Sequence, residues 1–337
     1  TVSSIANRGG HINFDDLQLK VVGLQLYTRQ HPEAGLEQVI KLSDEQVTQH
    51  LLDCLGTLPL IEPPPSPWDG AKNYLALSYI QEGKIIASKE YPYWHQGGGP
   101  GYLELEDGWH QVAEEFADQL AILVQYPEAN GNIDPEDSAL LKQYGWTAFY
   151  KIKDFSGKLP DRLLHESGEY PVTLYYAWNN EFCKDIGLDI TPYLGKTVNI
   201  NLYKIKEPLP AFMGAYQKEG RAVIVKDDER IVGAWLDGGS NCGFACSLKG
   251  QRLEKITGKS WGQWVNLHIN HRHPQEILIS QMQPEEVIET YFEAVDHRDS
   301  RTAHACETRK RLLGSLFANM DNNRLYNYSY ANGDATW

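Results

Sequence analysis

Gly187-Leu-Asp-Ile-Thr-Pro-Tyr-Leu-Gly-Lys196 is the stretch that decides the fold, and two runs follow it, Arg221-Ala-Val-Ile-Val225 and Arg230-Ile-Val-Gly-Ala-Trp-Leu-Asp237. Gly and Pro in the first stretch predict a tight turn after a helix, and the β-branched residues of the two runs predict paired strands. Asp227-Asp-Glu-Arg230 is the predicted turn between those strands. No nucleophile elbow, metal-ligand box or phosphate-binding loop accompanies these elements in the sequence. The stretch therefore predicts an α+β scaffold and no specific reaction.

The length and composition of the chain predict several folded domains. Its 337 residues exceed what one hydrophobic core usually occupies, so two or three domains are expected. An apolar share of 42% with 11% aromatic residues predicts order nearly throughout. We therefore expect an α+β, multi-domain protein in which small mixed or antiparallel sheets pack against helices.

The charge of the chain argues against two classes of partner. Lys and Arg number 31 against 45 Asp and Glu, which gives a formal net charge of -14. Such a chain repels nucleic-acid backbones and anionic lipid head groups, so we expect no nucleic-acid partner. No run approaches the roughly 20 apolar residues that a membrane span needs, so no transmembrane segment is expected. The first residue is Thr rather than Met, which is consistent with a processed start and with a signal peptide or lipid anchor upstream.

Residues 1–130 are predicted to form an N-terminal α+β domain. The pattern predicts a strand over 17–27, and Ser43-Asp-Glu-Gln46 is a capping box that opens a helix. Later elements are expected as a hairpin over 74–88, a strand over 102–106 and a helix over 108–124. This order resembles the small domains carried by Gram-positive extracytoplasmic lipoproteins.

Residues 131–262 are predicted to form a central α+β domain. Strand-like runs cover 146–153, 173–176, 198–205, 222–226 and 231–236. The landmark pieces, in order, are Tyr144-Gly-Trp146, Gly187-Leu-Asp189, Pro192-Tyr-Leu-Gly-Lys196, Leu202-Tyr-Lys204 and Val223–Gly233. With these pieces the chain, over about 140–250, resembles an uncharacterised domain-of-unknown-function family (4830 type) of Gram-positive bacterial lipoproteins. The resemblance implies a cell-envelope location and supplies no known activity, catalytic residue or cofactor.

Residues 275–337 are predicted to form a C-terminal helical segment. Pro284 opens a helix whose apolar face carries Val287, Ile288, Tyr291, Phe292 and Val295. This opening resembles the first helices of nuclear-transport-factor-2-like domains, in which a curved sheet wraps a helix pair. Because only the opening is present, we expect an incomplete domain. The resemblance implies, as an alternative function, a small-molecule binder with a cone-like pocket.

A group of aromatic residues is the leading candidate binding site. Tyr91, Tyr93, Trp94 and His95 stand beside a glycine-rich loop at 97–101. Rings next to such a loop are typical of surfaces that contact a carbohydrate or a peptide. Packing in a core is the competing interpretation, because strand ends also bury aromatic side chains.

Three histidines form the candidate metal site. His268, His271 and His273 could supply the nitrogen ligands that a divalent transition ion prefers. Their spacing matches no recognised metal motif, and alternation along a strand would place His268 on the opposite face from the other two. We prefer the interpretation of a polar surface loop.

Cysteine usage leaves several interpretations open. The chain has five cysteines, an odd number, so a full disulfide framework is not expected. Cys242 and Cys246 could form a redox pair, a disulfide or half of a metal site. Their small neighbours, Gly243 and Ala245, fit buried structural thiols, which is the favoured interpretation. Export from the cytoplasm would favour a disulfide.

These patterns together predict binding rather than catalysis. The Gly-x-Ser-x-Gly elbow is missing from the sequence, and we expect no catalytic residues and no cofactor. The expected function is a non-enzymatic extracytoplasmic protein, secreted or lipid-anchored, that binds a peptide, glycan or envelope protein at the surface of a Gram-positive bacterium. One alternative is a metal- or thiol-dependent enzyme that uses His268, His271 and His273, or Cys242 and Cys246. The other is the small-molecule binder with a C-terminal pocket.

Overall fold

The computed structural model describes residues 20–29, 37–42, 44–54, 58–62, 72–81, 84–95, 101–105, 107–126, 128–214, 220–238 and 245–307. The chain divides into two compact units, with 1–133 and 149–153 in the first and the remainder in the second. Over the described ranges it forms nine α-helices and two antiparallel sheets, which confirms the predicted α+β class. The division into three domains stays a prediction.

The first unit is built on a seven-stranded sheet with two helices. Its elements are β1 (Lys20–Arg29), β2 (Glu37–Leu42), α1 (Glu45–Asp53), β3 (Leu60–Ile61), β4 (Lys72–Gln81), β5 (Lys84–His95), β6 (Gly101–Leu105), β7 (Gly108–Val112) and α2 (Glu114–Gln125). The strands are ordered β2-β1-β4-β5-β6-β7-β3. Every neighbouring pair is antiparallel.

Alternation of side chains gives this sheet a buried inner face. Leu24 of β1, Leu75 of β4 and Leu103 of β6 are fully buried, while their neighbours Gln25, Tyr74 and Tyr102 are half-buried; Ala76 of β4, on the outer side, is buried as well. The ring of Tyr93 in β5 meets that of Phe116 in α2 edge-on, with 6.2 Å between ring centroids. The inner face is therefore the one that the helices cover, and its apolar burial is the main source of stability for the unit.

The second unit contains the remaining helices and a five-stranded sheet, except for residues 149–153 of one strand, which belong to the first unit. Its elements are α3 (Pro135–Gln143), β8 (Ala148–Lys158), α4 (Val172–Asp185), β9 (Thr197–Ile205), β10 (Arg221–Asp227), β11 (Arg230–Asp237), β12 (Ala245–Cys246), α5 (Leu253–Thr257), α6 (Trp261–Leu267), α7 (Pro274–Gln281), α8 (Pro284–Asp296) and α9 (Ser300–Cys306). The strands are ordered β12-β11-β10-β9-β8, and Asp227 pairs with Arg230 at the predicted turn of the hairpin.

The turn after α4 is fixed by glycine and by a buried amide. Gly187 has φ +82°, a conformation that side chains with a Cβ rarely adopt. The buried side chain of Asn180 accepts a hydrogen bond from the backbone N–H of Ile190 at 2.9 Å and donates one to Asp189 at 2.9 Å. Helix α4 and the turn after it lie close to β11: a Cβ at Gly233 of β11 would meet the sulfur of Cys183 in α4 at 3.2 Å and Ile190 in the turn at 2.8 Å. These contacts explain why the quoted stretch decides the fold of this unit.

Several predicted elements differ from the observed ones. Residues 173–176, predicted as a strand, lie inside α4, and the predicted helix 108–124 is the strand β7 followed by α2. Strand β2 was not predicted. Helix α1 is capped by Asp44, whose carboxylate accepts from the backbone N–H of Val47 at 2.9 Å, whereas Ser43 lies outside the described residues.

Among the described helices, none combines the length and the apolar character that crossing a bilayer would require.

Candidate functional site

The outer face of the first unit's sheet collects aromatic rings from five strands. Residues that face each other in an antiparallel pair point to the same side of a sheet, so the pairing register identifies the members of this face. All of them are half-buried. We call this set the aromatic face, and it consists of Tyr27, Tyr74, Trp94, Tyr102 and Trp109.

The register places these rings in two adjoining groups. Tyr27 of β1 lies opposite Tyr74 of β4, and Trp94 of β5 lies opposite Tyr102 of β6. Trp109 of β7 lies opposite Glu104, which is two positions after Tyr102 in β6. Tyr74 in turn lies opposite the residue two positions before Trp94. The aromatic face therefore crosses the sheet as a stripe.

Contacts within the aromatic face hold the rings in place. The rings of Trp94 and Tyr102 are stacked, with 4.9 Å between centroids and 22° between planes. The hydroxyl of Tyr27 donates a hydrogen bond to the side-chain oxygen of Gln25 at 2.6 Å. A ring that is fixed before binding loses less conformational entropy when a partner docks on it.

Polar side chains surround the rings on the same side of the sheet. Gln111 lies opposite Tyr102, and Glu104 lies opposite Trp109. Gln25 and Glu90 both pair with Ala76 of β4 and so share the same face. Amide and carboxylate groups beside half-exposed rings provide both hydrogen bonds and an apolar contact area, as recognition surfaces do.

The four aromatic-site residues predicted from sequence do not share one surface. Tyr91 and Tyr93 are buried on the inner face of the sheet, where they belong to the core. Trp94 lies on the outer face, and only the backbone of His95 belongs to the described part of the chain. Side chains alternate between the two faces of the sheet along β5, so Tyr91 and Tyr93 point to one face and Trp94 points to the other. Tyr102 and Trp109 could have been found by the same alternation.

The three predicted metal-site histidines contact separate groups. A ring nitrogen of His268 lies 2.8 Å from the carbonyl oxygen of Trp264, and the two rings are stacked at 3.9 Å. A ring nitrogen of His271 lies 2.9 Å from the carbonyl oxygen of Asn266. His273 is the N-cap residue of α7. Among the described residues no three His, Cys, Asp or Glu side chains are arranged to hold a metal ion.

The predicted thiol pair is described at one position. Cys242 lies outside the described residues, while Cys246 is a free, buried cysteine. Burial, and to a lesser extent the charge of Asp237, raises the pKa of the Cys246 thiol to about 12. A thiol with such a pKa stays protonated at neutral pH, where it is a poor nucleophile and a poor metal ligand.

A cavity of about 270 Å³ lies in the second unit. Its wall carries ionisable and hydroxyl side chains from the segment after β8 and from α7 and α9, among them His165, Ser167, Glu276, His304 and Glu307. Burial, with a smaller contribution from the positive charge of Arg162, lowers the pKa of His165 to about 4. His165 is therefore a neutral hydrogen-bonding group in this wall at neutral pH. Sequence reasoning missed it, because the wall joins segments more than a hundred residues apart.

Comparison with known proteins finds two family models that match parts of the chain. Residues 140–236 match a domain of unknown function, DUF4830, which confirms the predicted family resemblance over that stretch. Residues 285–336 match a second domain of unknown function, DUF4829. No curated protein and no solved structure matches the chain. The chain is therefore similar, over these two stretches, to two families whose descriptions state no activity.

Proposed function

We propose that this protein is a non-enzymatic binding protein of the Gram-positive cell envelope that contacts its partner through the aromatic face. The observation that carries the proposal is the gathering of Tyr27, Tyr74, Trp94, Tyr102 and Trp109 on one half-exposed sheet face. Aromatic rings with an apolar body, placed where a partner can reach them, are enriched at recognition surfaces.

The proposed location rests on the family resemblance of the central segment. The resemblance to bacterial lipoproteins that the sequence predicts for this segment supports an extracytoplasmic protein, secreted or anchored by a lipid, and the net charge of -14 disfavours nucleic acid as the partner. Within the same proposal the C-terminal segment is similar to the first helices of a domain like nuclear transport factor 2. Fractionation of the producing cells tests the location, since recovery in the cytoplasmic fraction alone would contradict it.

Replacing Trp94 by alanine is expected to weaken binding of the purified protein to isolated Gram-positive cell walls roughly tenfold, because the largest stacked ring of the aromatic face is lost. The fraction that sediments with the walls, measured over a range of wall concentrations, gives the affinity. Circular dichroism checks that the variant is folded.

The matched control is Phe212→Ala, which removes an exposed aromatic side chain from the second unit. This variant is expected to bind the walls as the unaltered protein does. Equal binding by both variants and the unaltered protein would show that the aromatic face is not the contact surface, and the proposed function would then fail.

A second candidate function is small-molecule binding in the cavity of the second unit. Its volume of about 270 Å³ lies slightly below the usual range for ligand pockets, roughly 300–1,000 Å³, which suits a molecule of the size of an amino acid or a monosaccharide. The neutral imidazole of His165 and the hydroxyl of Ser167 offer hydrogen bonds within a partly apolar wall. This observation favours small-molecule binding, at a cavity that differs from the predicted cone-like C-terminal pocket because residues 165–168 also form its wall.

Replacing Ser280 by phenylalanine is expected to abolish binding in this cavity, because Ser280 belongs to the wall and a ring there would occupy the space. Native mass spectrometry of the purified protein, and thermal shifts with amino acids, monosaccharides and polyamines, measure the binding. Leu278→Phe, at an exposed position of the same helix outside the wall, is the control and should bind normally. A protein that retains no molecule and shifts with none of these compounds would refute this candidate.

A further inference from the structure

We infer that the cavity of the second unit binds a small aliphatic amine, whose ammonium group lies beside the carboxylates of Glu276 and Glu307. This inference rests on the second candidate function and names the chemistry of its ligand. The hydrogen-bonding groups of the wall, the charges around it and its apolar part point to the same molecule. That molecule donates hydrogen bonds, carries positive charge and has a short hydrocarbon stem.

The polar side chains of the wall mainly accept hydrogen bonds. Two carboxylates, two hydroxyls, two imidazoles and one thiol line the cavity, and among the described residues no Lys, Arg, Asn, Gln or Trp side chain does so. Carboxylates only accept hydrogen bonds. The hydroxyl of Ser280 donates to the carbonyl oxygen of Ile277 at 2.8 Å, so towards a ligand it is an acceptor as well. An ammonium group, which has three donors and no acceptor, complements such a wall.

The hydroxyl of Ser167 is a buried group that a ligand can satisfy. Ser167 lines the cavity and is 4% exposed, and over the described ranges its side chain makes no hydrogen bond. The neighbouring backbone is held tightly, because a Cβ at Gly168 would meet the carbonyl oxygen of Arg301 in α9 at 2.7 Å. A buried hydroxyl without a hydrogen bond is costly. A bound ammonium would supply the donor that this hydroxyl lacks.

Two carboxylates give the wall its charge. The side chains of Glu276 and Glu307 are 21% and 9% exposed. An imidazole nitrogen lies near each of them, that of His271 at 3.7 Å and that of His304 at 3.6 Å, and both distances are longer than a hydrogen bond. With the imidazoles neutral, the wall carries two negative charges in a partly buried space, where a cation is attracted more strongly than in water.

The arginines near the cavity stand outside its wall. Arg162 donates to both carboxylate oxygens of Glu169 at 2.6 Å and lies 3.1 Å from a carboxylate oxygen of Glu166. Arg301 is exposed to solvent, which screens its charge. The basic residues 309–311 follow in the sequence and lie outside the described residues. The described wall therefore has two carboxylates and no Lys or Arg of its own to neutralise them.

The apolar part of the wall limits the ligand to a short hydrocarbon stem. Ile269, Ile279 and Ala305 contribute this part, and the cavity volume is about 270 Å³. A sugar would bury hydroxyl groups against these side chains, where they find no partner. A carboxylic acid would meet carboxylates of its own charge. An alkyl amine or diamine places methylene groups on the apolar side chains and its ammonium beside the carboxylates.

Isothermal titration of the full chain with butylamine and putrescine tests this inference. We expect both amines to bind, whereas butanediol and butyrate, which have a similar size without a net positive charge, should not. Glu276→Gln should lower the affinity for the amines roughly tenfold, because a neutral amide that also donates replaces a carboxylate. The matched control is Glu289→Gln, at an exposed position of α8 outside the wall, which should leave the affinity unchanged.

Two further variants locate the bound amine. Ser167→Ala should weaken binding less than Glu276→Gln does, since it removes an uncharged partner, and Ser280→Phe should abolish it by filling the space. Circular dichroism checks that each variant is folded. Amines that bind equally well to Glu276→Gln, Ser280→Phe and the unaltered protein would lie elsewhere on the chain, and the inference would then be wrong.

The outcomes separate the amine from the second candidate function. If the cavity retains a neutral molecule that Ser280→Phe releases, and no amine binds, the amine is refuted and the binding cavity stands. Binding of butyrate or inorganic phosphate in place of the amines would show that positive charge, such as that of residues 309–311, dominates the site, and it would also overturn the inference. If no compound binds and no molecule is retained, both proposals fail.

Discussion

Replacing Asp137 by alanine is expected to lower the free energy of unfolding by roughly 3–5 kcal/mol, the usual cost of removing one partner from a buried ion pair. The side chain of Asp137 in α3 is 0% exposed. One of its carboxylate oxygens accepts hydrogen bonds from the amide of Asn201 and the hydroxyl of Tyr203, both at 2.7 Å. The other lies 2.9 Å from the ammonium nitrogen of Lys226.

The size of the effect follows from the burial of the lysine. The side chain of Lys226 is 4% exposed, and burial alone would lower its pKa. The hydrogen bonds and negative charges of Asp134 and Asp137 outweigh burial and raise the pKa of Lys226. Without Asp137 the ammonium keeps the single carboxylate of Asp134, at 2.8 Å, and Tyr203 loses the hydrogen bond that its hydroxyl donates to Asp137.

Urea denaturation followed by circular dichroism measures this loss. Asp161→Ala is the matched control, because Asp161 pairs with Lys158 at 3.0 Å while its side chain is 57% exposed, and exposed pairs contribute about 1 kcal/mol or less. A loss of the same size in both variants would contradict the role given to the buried cluster. In the double variant Asp137→Leu, Lys226→Met part of the stability should return, since no charge is then buried alone.

The sequence predicted best where local signals decide the structure. The predicted β10–β11 hairpin is confirmed by the pairing of the two strands. It could be predicted because Asp227-Asp-Glu-Arg230 has the composition of a turn and β-branched residues flank it. Residues 173–176 were misread because Thr and Tyr favour strands locally, while α4 is buried on almost every side and so lacks a polar face. A helix without a polar face shows no 3.6-residue period, and only tertiary packing reveals it.

The candidate site could be predicted in part for the same reason. Alternation along β5 separates Tyr93 from Trp94, but it does not tell which side the helices cover. That answer depends on the packing of Tyr93 against Phe116, which are 23 positions apart in the sequence. The stacking of Trp94 on Tyr102 likewise depends on the strand register, which a turn of uncertain length leaves open in the sequence.

Lowering the pH from 6.5 to 4 is expected to reduce the free energy of unfolding, and His165 by itself should contribute a measurable part of this loss. The side chain of His165 is buried, with the residue 2% exposed, and its ring nitrogen lies 3.3 Å from the hydroxyl of Thr173. Burial is the main cause that lowers its pKa from 6.5 to about 4, and the positive charge of Arg162 and the charges of His304 and His273 add to the effect. The folded protein therefore holds the ring neutral at a pH where the unfolded chain binds a proton.

The sign follows from the protons that each state binds. Between pH 6.5 and 4 the unfolded chain takes up a proton at residue 165 that the folded protein does not, so acidification favours unfolding. A pKa difference of 2.5, from 6.5 to 4, corresponds to a loss of about 3 kcal/mol once the pH has reached 4. Carboxylates with lowered pKa values, such as Asp134, lose their contribution mainly below this range, because their ordinary value is 3.8.

Urea denaturation at a series of pH values between 5 and 7 isolates this contribution, because the informative quantity is the slope of stability against pH and not its absolute value. In His165→Gln the slope over this range should become flatter by the part that one buried histidine supplies, whether the variant is more or less stable than the unaltered protein. Ser167→Ala perturbs the same wall of the cavity without removing a titratable group, so its slope should stay as it was. An unchanged slope in His165→Gln would mean that the folded protein protonates the ring over the same pH range as the unfolded chain, and the lowered pKa of His165 would then be wrong.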